Sequence, residues 1–133
     1  MDEYIISDDI VLICISALEN SIIHLEEYIK DTKPPKSAMV YRNLQLEKSA
    51  KAHLESREGK IRFSELKITH SALENMKEDI SDVLVESELT VEEAEELKQL
   101  RRDVNRSLRF LRVLAQSFGR EIDEYKHNES IDM

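Results

Sequence analysis

The side chains that could do covalent or acid–base chemistry are few and scattered. Cys14 is the single cysteine, flanked by Ile13 and Ile15. One thiol makes no intrachain disulfide. An apolar setting suits a small packing residue, whereas a nucleophilic thiolate needs an exposed, electropositive site beside a base. A lone unpaired cysteine fits a reducing, cytoplasmic-type compartment. His24, His53 and His70 stand singly on their helices and read as surface or packing residues. Glu124 and His127 form a Glu-x-x-His pair, whose spacing puts both groups on one helix face. A di-metal bundle needs a second such pair and inward-facing carboxylates, and the helix seams carry none. Gly59 and Gly119 are too far apart to build a phosphate loop, and no serine stands in a nucleophile-elbow context. The expectation is a non-enzyme with no metal and no cofactor.

Charge is the stronger signal. Residues 74–97 hold ten acids against Lys77, and residues 98–120 hold seven bases against Asp103. Within the basic stretch, Lys98, Arg102, Arg106, Arg109 and Arg112 recur at steps of three and four, which is one helix face. As a solvated face they pair with acids of neighbouring helices, at less than about 1 kcal/mol per exposed pair. As a phosphate-binding ladder they apply arginine's planar fork to RNA or another phosphate ligand. A net charge of −9 opposes the long-range approach of a polyanion. In the acidic stretch, Glu78, Asp79, Asp82 and Glu86 are the candidate docking face for a basic protein partner, where complementary charge raises association rate more than affinity.

The elements that must carry these groups are helices. Two glycines and two prolines in 133 residues leave little turn chemistry for a many-stranded sandwich or barrel. Val11, Ile15, Leu18, Ile22, Leu25 and Ile29 predict a helix from about Ser7 to Lys30, capped by Ser7 or Asp8. Its first half is apolar nearly all round. Either this helix is central in a bundle, or Ile10, Ile13, Cys14 and Ala17 form a self-association face of a homodimer. Pro34 and Pro35 break the chain. A second helix, thin in apolar residues, follows from Ser37 to about Glu58 and stops at Gly59.

Ser64 is the candidate cap of a third helix, with a seam of Leu66, Thr69, Leu73, Met76, Ile80 and Val83. The run Thr90-Val91-Glu92-Glu93 is a capping box opening a fourth, in which Leu97, Val104, Leu111, Phe118 and Tyr125 recur every seven residues. The third seam runs in phase into the fourth, so residues 64–126 have an alternative as one long coiled-coil helix. Glu92, Glu93, Glu95 and Glu96 favour the break, because a helix N-terminus attracts negative charge. The expected architecture is all-α: an antiparallel bundle of about four helices in one domain over residues 1–126, with a polar tail at 127–133.

At 133 residues the chain is long enough for an independent core. Asp2, Glu3, Asp8 and Asp9 stand where a secretory leader is basic, and the apolar run from Ile10 is about half a membrane span. A soluble, cytoplasmic protein that does not enter a membrane is the expectation. Arg120 and His127 resemble the loosest spacing of the Arg…His pair in helical-bundle ribonuclease toxins of the HEPN class, and Leu25–Lys30 and Tyr41–Leu44 are similar to the first helices of such toxins. That resemblance implies RNA cleavage through Arg120 and His127. Glu121 departs from it, since the class places Asn, Asp or His directly after the arginine, and no family is assigned on these fragments. The reading preferred here is a non-enzymatic interaction protein that occupies a protein partner's surface, as an adaptor, inhibitor or small complex subunit. An RNA- or phosphate-binding module using the arginine face is the alternative.

Overall fold

A computed structural model describes residues 3–32, 38–56 and 59–122, and these form an all-α bundle of four helices: α1 (Asp8–Asp31), α2 (Ala38–Glu55), α3 (Phe63–Glu86) and α4 (Val91–Ser117). Two short strands, β1 (Tyr4–Ile5) and β2 (Lys60–Ile61), precede α1 and α3. They pair antiparallel, Tyr4 opposite Ile61 and Ile5 opposite Lys60. The Ile6 N–H extends the ladder to the Gly59 carbonyl at 3.2 Å. Gly59 has φ +58°, a left-handed conformation that costs glycine nothing. Each strand is two residues long, too short for alternation to show in the sequence. The pairing matters because β1 leads into the cap of α1 and β2 into that of α3. Both helices therefore start at the same end of the bundle and run parallel, with α2 and α4 running back in the opposite direction on their flanks.

Local chemistry sets the helix ends. The Ser7 hydroxyl accepts from the Asp9 N–H at 3.3 Å and caps α1. The cap of α3 is Arg62, not Ser64, because the helix begins as soon as strand pairing ends at Ile61. Glu65 supplies the capping interaction from inside the first turn, accepting the Arg62 N–H at 2.9 Å. The break between α3 and α4 is real. Thr90 Oγ1 accepts from the Glu93 N–H at 3.1 Å while Glu93 Oε1 accepts from the Thr90 N–H at 2.9 Å. At its other end α4 stops at Ser117, short of the heptad position Tyr125. Gly119, at φ +73°, lets the Gly119 N–H reach the Gln116 carbonyl at 2.9 Å and the Arg120 N–H reach that of Ala115 at 3.0 Å. Tyr125 and the tail 127–133 lie outside the described residues.

The core sits toward the strand end. Leu18, Leu66, Leu73, Val104 and Leu111 are fully buried there, and full burial of such a side chain contributes about 1.5–3 kcal/mol. Tyr4 plugs that end, with ring centroids 6.0 Å from Phe63 and 4.7 Å from Phe118. Both α1 and α3 pack against the other helices, so they form the middle of the bundle. Ile10, Cys14 and Ala17 are consequently buried within one chain, and Ile13 is half-buried against the core. Neighbouring helices cover Ile10, Cys14 and Ala17 within one chain, so of the expected self-association face only Ile13 keeps some exposure, while Leu12 beside it is 75% exposed. Among the described residues, no helix is long and apolar enough to cross a membrane.

Candidate functional site

The polar interior has two parts, both carried by α2. In the first, Glu65 of α3 is buried with its carboxylate fully occupied. Oε2 accepts from Ser49 Oγ at 2.6 Å and from His53 Nδ1 at 2.7 Å, and Oε1 accepts the Arg62 N–H. Ser49 and His53 are four residues apart and so share the face of α2 turned to α3. Donation to the carboxylate assigns the proton to Nδ1, on a ring whose side chain is 50% exposed. The imidazole borders a cleft of about 230 Å³ lined by Glu3, His53, Ser56, Lys60, Ile61, Arg62 and Glu65. A carboxylate-oriented imidazole can hold or move a proton. The nearby Ser56 hydroxyl donates to the His53 carbonyl at 2.6 Å.

In the second part, Glu47 is 4% exposed and falls in step with Leu44, Ala50 and Leu54 on the inward stripe of α2. Its Oε2 accepts from Ser21 Oγ of α1 at 2.9 Å, while Oε1 has no hydrogen-bond partner. Burial pushes the carboxyl up from 4.5 to about 7, against the smaller lowering effect of the Ser21 hydrogen bond. Two inward carboxylates thus correct the expectation that the seams carry none. Glu47 is absent from the sequence expectations, although its step with Leu44, Ala50 and Leu54 is a signal that places it inward. Glu65 carries no such signal, because its burial depends on a strand pairing that the sequence does not announce.

The remaining chemical candidates fall apart spatially. Burial pushes the Cys14 thiol up to about 12, which removes it as a nucleophile near neutral pH. His70 is buried, with Nδ1 3.6 Å from Glu74. Among the described residues no three His, Cys, Asp or Glu side chains gather as metal ligands. Glu124 and His127 lie outside the described residues. The Arg120 guanidinium rests 4.6 Å from the centre of the Phe63 ring.

The two charged faces are on the surface. Lys98, Arg102, Arg106 and Arg109 are exposed and Arg112 is half-buried. Three of them make local contacts: Lys98 pairs with Glu95 at 3.5 Å, Arg102 donates to Gln99 at 2.8 Å, and Arg106 meets Asp103 at 3.4 Å. For these three, the partners are on α4 itself and not on neighbouring helices, because steps of three and four bring them within reach. Glu78, Asp79, Asp82 and Glu86 are all exposed, and among the described residues they form no ion pair. No residue from Ser81 to Asp103 is fully buried; Leu84, Leu97 and Leu100 pack against the core from this end of the α3–α4 hairpin but stay partly exposed. Val85 and Val91 stand there 84% and 81% exposed. No family model, curated protein or solved structure matches the chain.

Proposed function

We propose that the protein is a non-enzymatic interaction protein that occupies a partner protein's surface through the far end of its α3–α4 hairpin. The observation that carries this reading is the coincidence of unpaired acids with exposed valines. Glu78, Asp79, Asp82 and Glu86 lie on the same end of α3 as Val85, with Val91 opening α4, and beyond Ile80 this end holds no fully buried residue up to Asp103. Complementary charge steers a basic partner, and the valines supply the apolar contact that holds it. A reducing, cytoplasmic setting suits the lone buried Cys14. A homodimer would have to use exposed residues such as Leu12 or Met39, since Ile10, Cys14 and Ala17 are spent on the core. Native mass spectrometry of the protein drawn from its own cell tests the reading. A defined complex with another chain is expected, and a bare monomer throughout would contradict it.

A second reading is an RNA- or phosphate-binding module using the α4 face. It is favoured by Arg109, which is exposed and without an ion pair among the described residues, and by Arg106, whose side chain is 64% exposed despite its contact with Asp103. Binding of an RNA oligonucleotide that weakens with salt and is lost on replacing Arg106 and Arg109 by Glu would support it. Absence of binding at low salt would end it.

A further inference from the structure

We propose that α2 is a proton-controlled latch, seated on α1 and α3 while the Glu47 carboxyl holds a proton and loosened from them when it ionises. The helix buries few apolar side chains. Its inward stripe offers Leu44, Ala50 and Leu54, with Glu47 occupying a position where another apolar residue would serve packing. Its remaining ties are Lys48 to Glu26 at 3.2 Å, Lys51 to Glu19 at 3.6 Å, and Ser49 and His53 to Glu65. Exposed pairs of the first two kinds contribute little.

A protonated Glu47 fits its site, with Oε2 accepting from Ser21 and no net charge in the interior. An ionised one leaves Oε1 buried, charged and without a donor, which is costly. No neighbouring cation offsets that cost. On α1, Glu19 and Glu26 face Lys51 and Lys48; on α3, Glu65 is held by His53 and Ser49, and His70 lies against Glu74. On α2 itself, Lys48, Lys51 and His53 are engaged in those same contacts. None of these groups pairs with Glu47. The carboxyl titrates near neutrality, so the latch responds within the range of ordinary cellular pH change. The device is independent of what the α3–α4 end binds.

Hydrogen exchange of the full chain at about pH 6 and about pH 8.5, corrected for the intrinsic base-catalysed rate, tests this directly. Protection of α2 amides should fall at least about tenfold relative to those of α4 in the parent, and this extra fall should vanish in Glu47→Gln. Equal pH responses in parent and variant, or a loss spread evenly over all four helices, would overturn the proposal. Carboxyl-carbon NMR of the parent protein needs no variant. A Glu47 midpoint near neutrality is expected, and one in the ordinary glutamate range would overturn it.

Discussion

His53 Nδ1 lies 2.7 Å from Glu65 Oε2, joining α2 to α3 through a carboxylate that is buried and also accepts from Ser49 and the Arg62 backbone. Removing the acceptor leaves three donors without it. Glu65→Ala should therefore cost about 1–3 kcal/mol, read from urea unfolding. His53→Ala should cost less, because the imidazole is half exposed and the carboxylate keeps its other two donors. A Glu65→Ala variant as stable as the parent would show that the cluster does not hold the helices together.

Much of the architecture is legible in the sequence alone. The stripe from Val11 to Ile29 and the Thr90 capping box report helices through local rules that need no tertiary context. The parts that stayed hidden depend on distant partners. Two-residue strands carry no period, so the meeting of Tyr4 with Ile61 and the shift of the α3 cap from Ser64 to Arg62 could not be read. The heptad pattern pointed past Phe118 to Tyr125, yet Gly119 ends α4 through its backbone geometry. The charged faces were visible in the spacing of Glu78 to Glu86 and of Lys98 to Arg112. The polar interior was not, because a glutamate looks solvent-facing until its neighbours are known.

Glu47 makes stability depend on pH in a definite direction. Its folded value of about 7 lies above the ordinary 4.5, so between those values the folded state binds more protons than the unfolded. Stability contributed by this group is complete below about pH 4.5 and is lost as pH rises through 7. Glu47→Gln should match the parent near pH 4.5 and exceed it by about 3 kcal/mol near pH 8. Chemical unfolding of both proteins across that range checks the difference, and parallel curves would refute it.

Leu111 is fully buried on the inward face of α4. Leu111→Ala removes its packing and leaves a cavity, at about 2–5 kcal/mol. Val113, 56% exposed on the same helix, serves as the control, and Val113→Ala should change stability by less than about 0.5 kcal/mol. Comparable effects at the two positions would mean that the inward face of α4 is wrongly assigned.

Thr90 opens α4 with a reciprocal pair of hydrogen bonds to Glu93. Thr90→Ala should cost about 1 kcal/mol in thermal unfolding, with Thr90→Ser close to neutral. A larger helical content or higher stability in Thr90→Ala would instead favour a continuous helix through residues 87–90.

The central claim is that the acidic, valine-bearing end of the α3–α4 hairpin contacts a partner protein. Its most direct test is site-specific photo-cross-linking in the protein's own cell, with the reactive side chain placed at Val85, Val91 or, as the control, Val113. One partner chain captured from positions 85 and 91 but not 113, and lost when Glu78, Asp79, Asp82 and Glu86 are changed to Lys, is the predicted result. Capture from position 113 alone, or from 85 and 91 undiminished by those charge reversals, would contradict the claim.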